Sequence, residues 1–204
     1  NGAGKTTILK LATGELAPDE GQVQVPAGTI YCPQRTDEPP AGLEELLAAS
    51  AGEAQSIKGR LGIELDWPGR WGTLSHGERK RAQVGVALWR QPPVLAIDEP
   101  TNHIDGEARR LLAGALRAFQ GVGLLVSHDR ELLDALCGQC LFVEPPGAVL
   151  RPGGYSAGVE QAGVEEETVR RQSELAQQKT ERLEREAVRR REEAARSDRR
   201  RSKR

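Results

Sequence analysis

Methionine is absent from the 204 residues, and the first residue falls inside a motif rather than ahead of one, so a fragment of a longer protein is the simplest expectation. Cysteine is scarce. Three cysteines, an odd number, argue against a secreted framework of paired disulfides and fit the cytoplasm. Cys137 and Cys140 have redox or half-zinc-site spacing, but no second CxxC pair accompanies them. A closed zinc site needs four ligands, so the two read as ordinary small residues. No run of about 18 apolar residues exists, which leaves no membrane-spanning helix. Net charge is also lacking: the formal value of −1 argues against a generic polyanion binder.

What charge there is lies unevenly. From Glu160 onward 14 Lys/Arg stand against 11 Asp/Glu, and the stretch 196–204 carries six basic residues and one acidic. Such a tail suits either a local contact with nucleic acid or a solvated helix end. Composition divides the chain into a domain over residues 1–150 and a linker over 151–204. The first mixes Gly, Pro, short apolar strands and amphipathic helices. The second is rich in Glu, Arg, Gln and Ala, and Pro145–Gly147 and Pro152–Gly154 punctuate the change.

Hydrophobic periodicity places helices at Lys5–Thr13, Leu43–Ala49, Ser75–Trp89 and Gly106–Phe119. Alternation suggests strands at Gln22–Val25 and Thr29–Cys32. Val94–Ile97 and Val122–Val126 are nearly all apolar, as parallel strands covered on both faces by helices are. The expected fold class is α/β. In the tail Val169, Ala176 and Leu183 recur every seven residues, but Arg190 comes next in that register. The seam is weak, and the expectation is a long polar helix that could form one limb of a coiled coil.

Asn1-Gly-Ala-Gly-Lys-Thr-Thr7 matches the end of the phosphate loop GxxxxGK[ST]. Its glycines let backbone N–H groups curl around phosphates at the positive end of the helix that begins there. Asn1, Gly2, Ala3, Gly4, Lys5, Thr6 and Thr7 are therefore the expected nucleotide-binding residues. Lys5 would reach the terminal phosphates and Thr6 would ligate Mg²⁺. Val94-Leu-Ala-Ile-Asp-Glu99 ends a buried strand in two carboxylates, where an α/β sheet presents its ligands. Asp98 suits the Mg²⁺ shell, and Glu99 can polarise the water that attacks the γ-phosphate.

Leu74-Ser-His-Gly-Glu78, with the helix after it, resembles the signature motif of ATP-binding cassette (ABC) proteins. That resemblance implies that Ser75, Gly77 and Glu78 act on the nucleotide of an opposite cassette. His76 stands where the family usually has a glycine. Other landmarks keep the family order. Gln34 resembles the Q-loop glutamine, which implies Mg²⁺ and water sensing. Pro100–Asp105 resembles the D-loop, with Asp105 at the contact between cassettes, and Val126-Ser-His-Asp129 resembles the switch, with His128 on the γ-phosphate. The implied catalytic set is Glu99, His128 and Gln34, the implied Mg²⁺ ligands are Thr6, Gln34 and Asp98, and the implied cofactors are ATP and Mg²⁺. The chain would thus be a P-loop NTPase, an ABC-type nucleotide-binding domain with a compact helical subdomain.

Asp98-Glu-Pro-Thr-Asn-His-Ile-Asp105 resembles the ABC-F branch, where EPTNHLD is typical, as does Glu78 at the end of the signature. Gly153-Gly-Tyr-Ser156 before a charged helix resembles the exit from the first ABC-F cassette into its linker. ABC-F resemblance implies a second cassette on the same chain and a ribosomal, RNA-facing partner for the Arg-rich end. A first cassette lacking its initial strands, an ATPase weak in isolation, is the resulting expectation. The alternatives are the ATPase subunit of a membrane transporter, which leaves the tail unexplained, and a DNA-directed cassette. The latter usually has a long coiled coil between Q-loop and signature, where this interval is short.

Overall fold

The computed structural model describes residues 4–145 and 147–201, and the side chains of all of these but 181–184 and 186–201. Asn1, Gly2 and Ala3 of the expected phosphate loop therefore lie outside the described residues, as do Leu183 and Arg190 of the tail register as side chains.

Two units make up the chain, residues 1–158 and 159–204. The first unit is α/β. Strands β1 (Ile30–Cys32), β2 (Val94–Asp98) and β3 (Val122–Val126) form a parallel sheet in that order. Ile97 pairs with Cys32 on one side and with Leu125 on the other, so the three strands end together. The central strand β2 is the apolar run, and Leu95, Ala96, Ile97 and Asp98 are all buried. A strand flanked on both edges and covered by helices has no solvated face, which is why its sequence does not alternate.

Helix α1 (Lys5–Thr13) begins at the end of the phosphate-loop motif and lies against β1, β2 and β3. Between β1 and β2 come α2 (Leu43–Ala48), α3 (Gly52–Leu61), a 3-10 helix (Pro68–Thr73) and α4 (His76–Trp89). These are the compact helical subdomain. Its core is continuous with the sheet: Leu43, Leu46, Leu61, Trp67 and Val84 join Cys32, Leu95 and Ile97 in one cluster. Helix α5 (Gly106–Arg117) comes after β2, and α6 (Arg130–Leu136) after β3.

Four expectations need correction. Gln22–Val25 is not a strand; Val23 and Val25 are exposed and no strand among the described residues pairs with them. Alternation describes a strand only when another strand takes its hydrogen bonds. Strand β3 is only half-buried, with Val122 at 59% exposure, because among the described residues it is the edge of its sheet. Around the prolines and glycines that mark a transition, β4 (Gln139–Glu144) and β5 (Gly147–Pro152) form an antiparallel hairpin. Finally, the long helix α7 (Tyr155–Arg201) starts earlier than the charge run suggests.

The start of α7 belongs to the first unit. Asp134 of α6 accepts from the Ser156 backbone N–H (2.8 Å) and hydroxyl (2.5 Å). Tyr155 stacks on Phe142 of β4 with ring centroids 5.9 Å apart. In the second unit, Val164, Val169 and Leu175 are exposed, and Arg171–Glu167 pairs along the helix at i, i+4 spacing. Such pairs support an isolated helix by roughly a few tenths of a kcal/mol each and build no core. No helix among the described residues is long and apolar enough to cross a membrane.

Candidate functional site

Because the parallel strands end at one level, the residues just beyond their C-terminal ends gather at one edge of the sheet. Gln34 lies two residues past β1, Asp98 closes β2 with Glu99 after it, and Ser127 and His128 come directly after β3. Helix α1 brings Thr6 to the same edge. Its hydroxyl donates to Asp98 Oδ2 at 2.8 Å. Gly4, the N-cap of α1, has φ 84, a left-handed conformation that a side chain would strain. Lys5 is half-buried beside it, and Thr7 and Gln34 are exposed.

Asp98 accepts a second hydrogen bond, from the Tyr31 hydroxyl at 3.4 Å. Burial, then the Asp98 carboxylate, push the Tyr31 phenol up to about 12, so it remains a donor. Nothing in the local sequence singles out Tyr31. Its role comes from the β1–β2 register, which places it across from Ala96.

Glu99 has φ 47, an uncommon value for a residue with a side chain. Two contacts hold it there. Its backbone N–H donates to Val126 O at 2.8 Å, and its Oε2 accepts from the His128 N–H at 3.1 Å. The other oxygen, Oε1, is buried, lacks a hydrogen-bond partner among the described residues, and lies 3.5 Å from His128 Nε2. A buried carboxylate oxygen with a free lone pair is costly unless a ligand or water completes it. His128 itself is largely exposed, with its side chain at 66%. The backbone therefore fixes the acid, and the largely exposed imidazole keeps its Nε2 within 3.5 Å of it.

Surrounding contacts secure this edge. Thr101 and Ser127 hydroxyls lie 3.3 Å apart, and the Asp129 N–H donates to Ser127 Oγ at 3.0 Å. Asp129 caps α6 and is gripped by Arg109 of α5 at 2.5 and 2.6 Å. Residues 127–129 are thereby tied to α5. Arg109 carries no motif signal in the sequence.

The remaining expected residues form a second cluster, where α4 and α5 begin. Ser75 caps α4: its Oγ accepts from the Glu78 N–H at 3.2 Å, and Glu78 Oε2 accepts from the Ser75 N–H at 2.7 Å. This reciprocal box holds the Glu78 carboxyl below its usual range, chiefly through the Ser75 backbone N–H. The Glu78 side chain is therefore engaged within its own helix. Asp105 caps α5, accepting from the Ala108 N–H at 2.8 Å.

Gly77 has a packing role that the motif did not reveal. A Cβ at this position would lie 3.0 Å from the Ala108 Cβ, so α4 and α5 approach over a bare backbone. Gly77→Val is expected to destabilise the fold by about 1–3 kcal/mol through overpacking. Urea unfolding checks this, and an unchanged midpoint would show that the two helices separate at little cost.

Cys137, which ends α6, and Cys140, in β4, are half-buried free thiols. Burial pushes Cys137 up to about 11, which disfavours the reactive thiolate. No cluster of three or more potential metal ligands occurs among the described residues.

The donor set at the strand edge suits a phosphate-bound divalent cation. Thr6 and Asp98 supply hard oxygen donors in mutual contact, and the next residue, Glu99, holds a buried oxygen without a hydrogen bond among the described residues.

The family model described as "ABC transporter" matches residues 1–102. The ATP-binding protein Uup of Caulobacter vibrioides is 39% identical over 153 residues, covering 71% of this chain and 24% of that protein. The tylosin resistance ATP-binding protein TlrC of Streptomyces fradiae is 32% identical over 209 residues, covering 76% and 38%. Both are ABC-F proteins. The chain thus spans about a quarter to two fifths of the length of these relatives. Among solved structures, a complex of an archaeal ribosomal stalk protein with the archaeal ribosome recycling factor aABCE1 matches with TM-score 0.65. Its identity is 28%, and the match covers 81% of this chain and 35% of that one.

Proposed function

Since the chain belongs to the ATP-binding cassette family, we propose that it binds ATP–Mg²⁺ and hydrolyses ATP as one cassette of a ribosome-associated ABC-F protein. The observation that carries the hydrolytic part is Glu99. It is held in a left-handed conformation with one buried oxygen lacking a hydrogen bond among the described residues, and it directly follows Asp98, which pairs with Thr6.

Each residue has its own share of the work. Gly4, Lys5 and Thr7, with Asn1, Gly2 and Ala3 before them, cradle the phosphates by backbone N–H groups and the Lys5 ammonium. Thr6, Gln34 and Asp98 hold Mg²⁺, which when bound neutralises charge on the phosphate oxygens. Glu99 Oε1 accepts a proton from the attacking water. His128 contacts the terminal phosphate through its exposed imidazole. Ser75 and Gly77, on a cluster of their own with Glu78 and Asp105, serve the nucleotide of a second cassette.

That division makes hydrolysis depend on the opposite cassette. Residues 1–150 act as the nucleotide-binding domain and 151–204 as the linker leaving it. The chain by itself is expected to turn over ATP at least about tenfold more slowly than the full-length protein, since removing transition-state contacts costs that much or more. Phosphate release assays on both forms decide it; equal rates would show that a single cassette suffices.

The ribosomal part rests on other supports. One relative is a resistance protein by name, one structural relative is a ribosome recycling factor, and the linker ends in a basic run. Lys and Arg on a helix neutralise RNA phosphates and release counterions. The protein would then work in the cytoplasm. Full-length protein carrying Glu99→Gln is expected to co-sediment with ribosomes when ATP is present and not when it is absent. Nucleotide-independent pelleting, or association with membranes instead, would overturn this assignment.

A further inference from the structure

Lysine side chains normally carry their ammonium to water, even when the stem packs against the protein. Lys80, on the second turn of α4, does the opposite: the residue is 4% exposed. Its Nζ donates to Pro33 O at 2.8 Å and to Gln83 Oε1 at 3.0 Å. Burial pushes the amine down to about 8, while Cys32 and the Asp98 carboxylate act in the opposite direction. An ammonium is costly to bury, so its directed contacts call for a reason beyond packing.

The acceptor supplies that reason. Pro33 O belongs to the peptide unit whose N–H is that of Gln34. Peptide units are planar, so fixing the oxygen fixes the direction in which the chain enters Gln34. The far end of the same segment is held as well, by the Trp71 indole N–H donating to Asp37 O at 3.0 Å. Thr36 between them is buried. Gln34 is thus an exposed side chain on a short segment pinned at both ends by the helical subdomain. Lys80 is also on the helix that Ser75 caps, five residues further along.

We infer that Lys80 is a positioning residue: from the signature helix it holds the Pro33–Gln34 peptide, and so sets the Gln34 amide for the metal at Asp98 and Thr6. A change in the tilt of α4 would then reach the metal site through one hydrogen bond. The consequence for metal binding rests on the ATPase reading above.

Mn²⁺ binding to the full-length protein with a non-hydrolysable ATP analogue, monitored by electron paramagnetic resonance, tests it without any turnover. Lys80→Met, close in size and lacking the donor, is expected to weaken Mn²⁺ about tenfold, the scale of residues that orient metal ligands. Analogue affinity without metal should not change. Gln34→Ala is expected to weaken Mn²⁺ comparably, and the double variant no further than either single one, because both act through one amide. Lys80→Arg, which keeps a cation and donors, should restore part of the loss. Mn²⁺ affinity unchanged in Lys80→Met, or losses that add in full, overturns the inference alone. A parent protein that binds no metal–nucleotide overturns the ATPase reading and the inference with it. If Lys80→Met does not fold, Gln83→Leu removes the second partner of the amine. It is expected to weaken Mn²⁺ in the same direction by a smaller factor, and no change there counts against the inference.

Discussion

Glu99→Gln is expected to lower ATP turnover of the full-length protein about a hundredfold or more while ATP remains bound, the scale on which a general base contributes. The substitution is well suited to the site. Glutamine keeps a carbonyl oxygen to accept from the His128 N–H, the contact Glu99 Oε2 makes at 3.1 Å. The backbone bond from residue 99 to Val126 O is unaffected. What disappears is the second carboxylate oxygen, Oε1, the proposed proton acceptor, which is buried without a hydrogen-bond partner among the described residues. Stopped-flow binding of a fluorescent ATP analogue, with phosphate release in parallel, separates the two quantities. A loss of binding equal to the loss of turnover would make Glu99 a structural support for the switch segment. Turnover near that of the parent would assign the proton to another group.

Trp67→Ala is expected to produce the largest stability loss of any single change in the helical subdomain, about 3–5 kcal/mol. Trp67 is 1% exposed and belongs to the cluster that joins α2, α3 and α4 to β1 and β2. The guanidinium of Arg81 lies over its ring at 5.2 Å, an attraction that truncation also removes. Trp67→Phe provides the contrast. The indole N–H is buried without a hydrogen-bond partner among the described residues, so Phe deletes an unsatisfied donor along with part of the ring. Phe should therefore cost well under half of what Ala costs. Denaturant unfolding of the two variants checks the order. Equal losses would mean that the ring volume Phe keeps contributes nothing and that the stability rests on the part of the indole Phe lacks. A small loss for Ala would show that the cluster collapses into the space.

Much of the site was legible because its chemistry is written in short, ordered motifs. Lys5 and Thr6, Asp98 and Glu99, and His128 were each identifiable from residue type and from their place beside an apolar run or a glycine-rich turn. The structure brings Thr6, Asp98, Glu99 and His128 together at one strand edge. The sequence was silent where a residue acts through a neighbour from another strand or helix. Tyr31, Lys80 and Arg109 have ordinary local surroundings, and each gains its partner from a segment more than 15 residues away. Gly77 shows a different limit. Its motif suggested a phosphate approach, and the contact with Ala108 adds a packing demand that no spacing could reveal.

By itself, then, the sequence determined the chemical groups, their order and the alternation of helices with apolar runs. These depend on side-chain type and on periodicity within a few residues, which are local properties. Tertiary structure alone decided which strands are neighbours, and hence that β1, β2 and β3 end level with one another. It also decided that Gln22–Val25 pairs with no strand among the described residues, while 139–144 and 147–152 pair as a hairpin. The left-handed backbone of Glu99 belongs to the same class. Bonds from Val126 and His128, nearly 30 residues away, hold that strained conformation, and no property of the Asp-Glu-Pro segment specifies it.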